Sequence, residues 1–213
     1  MTTAAASRRR RTRPMMLAAT ALVVVAVVGW IVLAATARGA IVAVPKSLTC
    51  GDVPVTYDIL GGINDDGVPT PAFELTAEPG TKCSLTIVIV NTGSRAVHVD
   101  TMEFPELTPG PSRGHLVMVS RDLESDTAPE RDDDATGSAI FSIDQDVRGH
   151  ASMARRFELA YRAPISTCQD EDYSEAHHGI PLVRTSSLGL SGTTKGAVNL
   201  LIRGTGVAGS DCG

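Results

Sequence analysis

Residues 15–37, MMLAATALVVVAVVGWIVLAATA, form an uncharged apolar run directly behind Arg8, Arg9, Arg10, Arg11 and Arg13. A helix rises about 1.5 Å per residue, so a run of this length extends roughly 35 Å, against a bilayer hydrocarbon core of about 30 Å. The run is therefore expected to be a single transmembrane helix. Arginine-rich flanks stay cytoplasmic because guanidinium groups are costly to carry through lipid. The far flank holds only Arg38 and Lys46. The expected organisation is a basic cytoplasmic tail over 1–14, the span over 15–37, a juxtamembrane linker over 38–49 and an extracytoplasmic domain over 50–213 in the cell envelope.

A cleaved signal peptide is the rival reading, since Ala35, Thr36 and Ala37 offer a small-residue cleavage site. Signal peptides carry apolar cores of about 7–15 residues, shorter than this run, which favours a retained anchor. Twin-arginine export fits less well, because the arginines lead into Pro14 and two methionines. Lipidation at Cys50 is disfavoured because Thr49, just before it, is not the small residue expected there.

Charge is divided across the membrane. All 24 acidic residues lie beyond the span, and the chain from Ser47 onward is near −12 although the whole is −5. A surface of that sign repels nucleic acid and anionic headgroups, which excludes nucleic acid as a partner. The basic tail suits the anionic inner leaflet, making the membrane itself one partner.

Cys50, Cys83, Cys168 and Cys212 all fall on the exported side. Four cysteines in an oxidising compartment imply two disulfides in one of three connectivities. Their wide spacing, without a CxxC pair, argues against zinc ribbons and thioredoxin-like redox sites. The favoured pairing is Cys83 with Cys168 and Cys50 with Cys212, which ties the ends of the domain together.

Beyond residue 49, short alternating apolar bursts are divided by Gly, Pro, Asn and Asp, the signature of strands. Strands are predicted over 53–60, 73–77, 83–91, 96–102, 116–120, 139–143 and 152–162, with a closing hairpin of 182–190 and 197–203 around GLSGTTKG. Cys83, Leu85, Ile87 and Ile89 share one face of the strongest strand. A turn at 91–94, with Gly93 available for positive φ, makes a hairpin to the next strand, whose Val97, Val99 and Thr101 point inward. Phe157, Leu159 and Tyr161 share a face further on, and 61–71, 121–137 and 168–179 read as loops. About eight or nine strands at regular spacing predict an all-β, antiparallel, immunoglobulin-like β-sandwich behind one transmembrane helix.

The segment TIVIVNTGSRAVHVD, residues 86–100, resembles a hairpin of bacterial immunoglobulin-like and fibronectin-like exported domains. LVRTSSLGLSGTTKGAVNLLIRG, residues 182–204, resembles the closing hairpin of membrane-anchored exported proteins of actinobacteria. Both resemblances imply a fold and carry no catalytic residues. Antibody-type domains bury a Trp against an inter-sheet disulfide, whereas Trp30 here lies within the apolar run.

Three acidic segments are candidate metal sites. Asp132 and Asp134 alternate ahead of Gly137 as in a calcium loop, but Ile143 stands where a bidentate Glu belongs. Asn64, Asp65, Asp66 and Gly67 form a second acidic turn. Asp170, Asp172, His177 and His178 supply transition-metal donors, although adjacent histidines on an extended chain point to opposite sides. Solvated loops explain all three segments better, so the expectation is no cofactor, with calcium as the alternative. His98, His115 and His150 are scattered and read as structural or exposed.

Enzyme signatures fall short. GLSG ends one position before GxSxG is complete, Ser191 and Lys195 are four apart rather than three, and GTTKG lacks the length and order of a P-loop. The expected function is a non-enzymatic, single-pass binding or structural module of the envelope, facing an envelope protein or a cell-wall polymer. A metal-binding domain is the alternative, and an envelope hydrolase with an unrecognised site is a more distant one.

Overall fold

The structure, a computed structural model, describes residues 8–38, 40–63, 69–78, 80–105, 107, 117–131, 137–161 and 173–204. Among these residues one helix, α1 (Arg8–Arg38), precedes eleven strands: β1 (Ile41–Thr49), β2 (Val55–Ile63), β3 (Pro69–Ala77), β4 (Lys82–Asn91), β5 (Val97–Phe104), β6 (Val117–Asp122), β7 (Glu130–Arg131), β8 (Ala139–Val147), β9 (Ser152–Tyr161), β10 (Tyr173–Ser187) and β11 (Leu190–Gly204). They form two sheets, β1-β4-β9-β6 and β2-β3-β11-β10-β5-β8-β7. The fold is thus all-β in two sheets, as expected. Among the described strands all ladders are antiparallel except β3 with β11, where Leu200 pairs Phe73 and the strands run together. A purely antiparallel sandwich is corrected on that point.

The core lies between the sheets. Leu85, Ile87 and Ile89 of β4 are fully buried and Cys83 nearly so, in the predicted phase. Phe157, Leu159 and Tyr161 of β9 face the same interior. Phe104, Phe141 and Phe157 make a three-ring cluster with centroids 4.8–6.0 Å apart, joining β5 and β8 of one sheet to β9 of the other. Aromatic burial of this kind, with tilted and edge-on rings, supplies much of the apolar stabilisation of a small sandwich.

Several sequence expectations change. Residues 41–49 are a strand, not a linker: β1 lies along β4, with Ile41, Ala43 and Leu48 buried. Pro45 and the register shift between Pro45 and Ser47 break the alternation that signals a strand. The segment 91–96 does not close a hairpin. β4 and β5 lie in different sheets, and the connection carries the chain across the sandwich. Gly93 has no positive φ; a Cβ there would lie 2.9 Å from that of Ala40 and 3.2 Å from Asn91 Oδ1, so the position serves close packing against these two side chains. In β5 the inward phase slips after Val99, so Met102 is buried in place of Thr101. The final hairpin turns at Leu188 and Gly189, not over GLSGTTKG, since Ser187 pairs Leu190. Both turn residues have positive φ (52° and 79°), as tight two-residue hairpins require. β10 begins at Tyr173, so 173–179 is strand rather than loop.

Among the described residues a disulfide joins Cys50 to Cys83, which corrects the favoured pairing of Cys83 with Cys168 and Cys50 with Cys212. The β1–β4 register brings Thr49 opposite Ser84, which sets the next residue outward, Cys50, against Cys83. Cys168 and Cys212 lie outside the described residues.

The expected membrane span is not shown. Among the described residues no helix is long and apolar enough to cross a membrane. Side chains of α1 are described from Ala21 to Ala37, a stretch of roughly 25 Å at helical rise.

Candidate functional site

The sites named from sequence fare unevenly. Asp132, Asp134, Asp170 and Asp172 lie outside the described residues, as do Asn64, Asp65, Asp66 and Gly67. His177 is buried in β10 opposite Leu200, and the backbone of His178 continues the same strand. Among the described residues no group of three or more His, Cys, Asp and Glu side chains could hold a metal ion.

A polar cluster absent from the sequence reading stands on the outer face of the larger sheet. His98 of β5 pairs Asp146 of β8 on one side and Ser186 of β10 on the other, so three neighbouring strands place these side chains in one row. His98 Nδ1 lies 2.8 Å from Asp146 Oδ1. Its Nε2 lies 3.1 Å from Asp144 Oδ1 and 3.7 Å from Asp100 Oδ1. Ser186 Oγ donates to Asp100 Oδ1 at 3.2 Å. Asp100 arrives by strand alternation, two residues beyond His98. Asp144 arrives by a bulge: Ile143 and Asp144 together oppose the single Asp100, and Asp144 takes φ 45°. Ile143 turns into the core and frees Asp144 to reach the imidazole.

The hydrogen bond His98 donates to Asp146 raises the His98 pKa above its ordinary value; the charges of Asp100, Asp146 and Asp144 add to the rise and partial burial opposes it. The protonated imidazole is thus a counter-ion to three carboxylates. Ser186 donates to Asp100 rather than to His98, so the row is an ion-pair network and not a nucleophile with its base.

Beside it opens a surface pocket of about 440 Å³, lined by Arg95, Ala96, His98, Asp146, Ser186 and the Leu188–Gly189 tip among others. Asn91 holds its rim. Fully buried, Asn91 donates through Nδ2 to the carbonyls of Arg95 (2.7 Å) and Val147 (3.0 Å) and accepts from Gly93 N–H (3.0 Å). Gly149, in the connection from β8 to β9, abuts the Ser94 backbone so closely that any Cβ would collide with it.

On the smaller sheet, Glu158 accepts hydrogen bonds from Ser120 (2.8 Å) and Lys82 (3.3 Å). The Ser120 bond is the main reason its pKa is lowered, with Lys82 second. Asp122, fully buried, accepts from Glu124 N–H at 2.8 Å and lies 3.6 Å from Arg155. These contacts knit the 122–127 turn to β9.

No protein-family model matches this chain, and no curated protein matches it. Two of the similar solved structures illustrate the likeness. One is the PapD-like domain 7 of human CEP192, at 12% identity and a TM-score of 0.30, covering 76% of this chain and 89% of that one. The other is a family 123 glycoside hydrolase from Clostridium perfringens, at 11% identity and a TM-score of 0.35, covering 79% of this chain and 28% of that one. At these scores neither likeness bears on function.

Proposed function

We propose that this chain is a single-pass, membrane-anchored module of the cell envelope, whose immunoglobulin-like sandwich binds or supports a partner outside the cytoplasm and carries out no catalysis. The observation that carries the reading is α1. Leu22, Val23, Val24, Val25, Val27, Val28, Trp30, Ile31, Val32 and Leu33 are each more than 40% exposed. They occupy every side of the helix, and a helix apolar all round is stable only inside a protein core or a bilayer. The arginines before it support an inward amino terminus, and the Cys50–Cys83 bridge suits an oxidising compartment. The partner is an envelope protein or a cell-wall polymer, met by loops or by an edge strand such as β2 or β6.

The test is topological. Full-length chain in membranes should resist alkaline carbonate extraction, and tags after residue 213 should be cut by protease added to intact spheroplasts. A mature chain beginning at Arg38, or a tag reached only after lysis, removes the anchored reading. Crosslinking in cells then identifies the partner.

A further inference from the structure

One end of the sandwich gathers features that the anchor alone does not explain. Ala40 carbonyl, just past α1, accepts hydrogen bonds from Thr92 N–H (2.9 Å) and Oγ1 (3.0 Å). Gly93 carbonyl accepts from His150 N–H at 2.9 Å. Val97 pairs Val147, and His98 pairs Ser186, one residue short of the Leu188–Gly189 turn. The helix exit, the 92–96 and 148–151 connections and the β10–β11 tip therefore share one end.

That end is apolar and basic. Outside α1, the large hydrophobic side chains exposed among the described residues are Val42, Tyr57 and Leu188. Two of the three are here: Val42 follows the helix exit directly, and Leu188 sits at the tip, 43% exposed. The two connections carry Arg95, Arg148 and His150 and no carboxylate, in a domain whose net charge is strongly negative. The carboxylates set just behind them, Asp100, Asp144 and Asp146, surround His98.

The helix also meets the sandwich before its apolar run ends. Ala34 is fully buried while residues 22–33 carry the exposed side chains named above, and α1 touches both β10 and β11. Ala34 lies four residues before Arg38, about 6 Å along the axis. The last turn of the proposed span is thus in contact with β10 and β11, which brings this part of the sandwich up to the headgroup layer.

We propose that this end of the sandwich docks on the outer leaflet, with Leu188 and Val42 inserted among the lipids and Arg95 and Arg148 on anionic headgroups. The proposal rests on the anchored reading above. Net negative charge implies repulsion from such a surface; the local distribution reverses that sign where the domain meets the membrane. Docking would hold the domain in one orientation and turn its far end toward a partner.

The test uses the full chain in vesicles with and without an anionic lipid. In a Trp30→Phe background, Leu188→Trp places the only indole at the tip, and lipid brominated on the acyl chains reports its depth. The expected result is a blue shift and loss of most emission from position 188. Adding Arg95→Glu and Arg148→Glu should restore emission in anionic vesicles and leave neutral ones unchanged. Unquenched emission at 188, while native Trp30 is quenched in the parent chain, overturns docking and leaves the anchor standing. A parent chain that neither floats with vesicles nor shows Trp30 quenching overturns the anchor itself. Quenching at 188 that survives charge reversal in anionic vesicles overturns the headgroup contacts.

Discussion

Asn91 offers the sharpest test of how the two sheets are joined. Its side chain meets three backbone groups across the 91–96 connection, and its two N–H bonds end on carbonyls while its oxygen meets an N–H. The partners thereby set the amide orientation. Asn91→Ala removes all three bonds, including the one to the Val147 carbonyl in a buried site. At about 1 kcal/mol net per bond the loss is about 3 kcal/mol. For a chain of this size that lowers Tm by roughly 6–12 °C. Asn91→Asp discriminates further. The carboxylate keeps the Gly93 bond but turns negative oxygen toward the carbonyls of Arg95 and Val147, in a fully buried position. It should be less stable than Asn91→Ala at neutral pH and recover as acid protonates it, since the neutral acid regains one donor. The assay is urea unfolding of the full chain in detergent, followed by the far-ultraviolet strand signal, because Trp30 lies in α1 and does not report on the sheets. A loss below about 0.5 kcal/mol for Asn91→Ala, the range of inert surface changes, refutes the reasoning. So does an Asp variant as stable as the parent.

Three further outcomes are expected. The Cys50–Cys83 bridge spans 33 residues of sequence, and its removal by Ser at both positions should cost about 4 kcal/mol by loop entropy; a peptide map without reductant that links Cys83 to Cys168 contradicts the structure. Ile87→Asp buries a carboxylate at a fully inaccessible site and should prevent folding, whereas Val88→Asp, on the half-buried outer face, should be milder by limited proteolysis; equal effects would mean a different register. The His98 pKa is raised, so its contribution to stability is whole below about 6.5, the unfolded value, and is lost as pH rises through the folded value. The stability difference between the parent and His98→Gln should therefore be larger at pH 5.5 than at pH 8.5, and a difference that grows with pH would reverse the assignment.

Much of the core was legible in sequence because it follows a local rule. Leu85, Ile87 and Ile89 alternate without interruption, and strict alternation of apolar residues has one folded meaning. The misread places are those where alternation is broken or where two structures share one local pattern. Pro45 and the shift beside it concealed β1, and with β1 unseen nothing placed Cys50 near Cys83. The apolar strands flanking Asn91 and Gly93 suit a hairpin and a crossing between sheets equally. The buried bond of Asn91 to Val147, 56 positions away, accompanies the crossing, with β4 and β5 in different sheets. The His98 row was invisible for the same reason: Asp100 is near in sequence, but Asp144, Asp146 and Ser186 arrive from other strands, and a bulge turns Asp144 toward the ring.

The sequence by itself determined the arginine-led apolar segment, the strand-rich domain behind it and the inward face of its strongest strands, because these depend on composition and on the two-residue period of an extended chain. Only the tertiary structure decided which strands are neighbours, which cysteines meet and which charges surround His98. Those outcomes depend on register between segments far apart in sequence, where a shift of one residue turns every side chain to the opposite face.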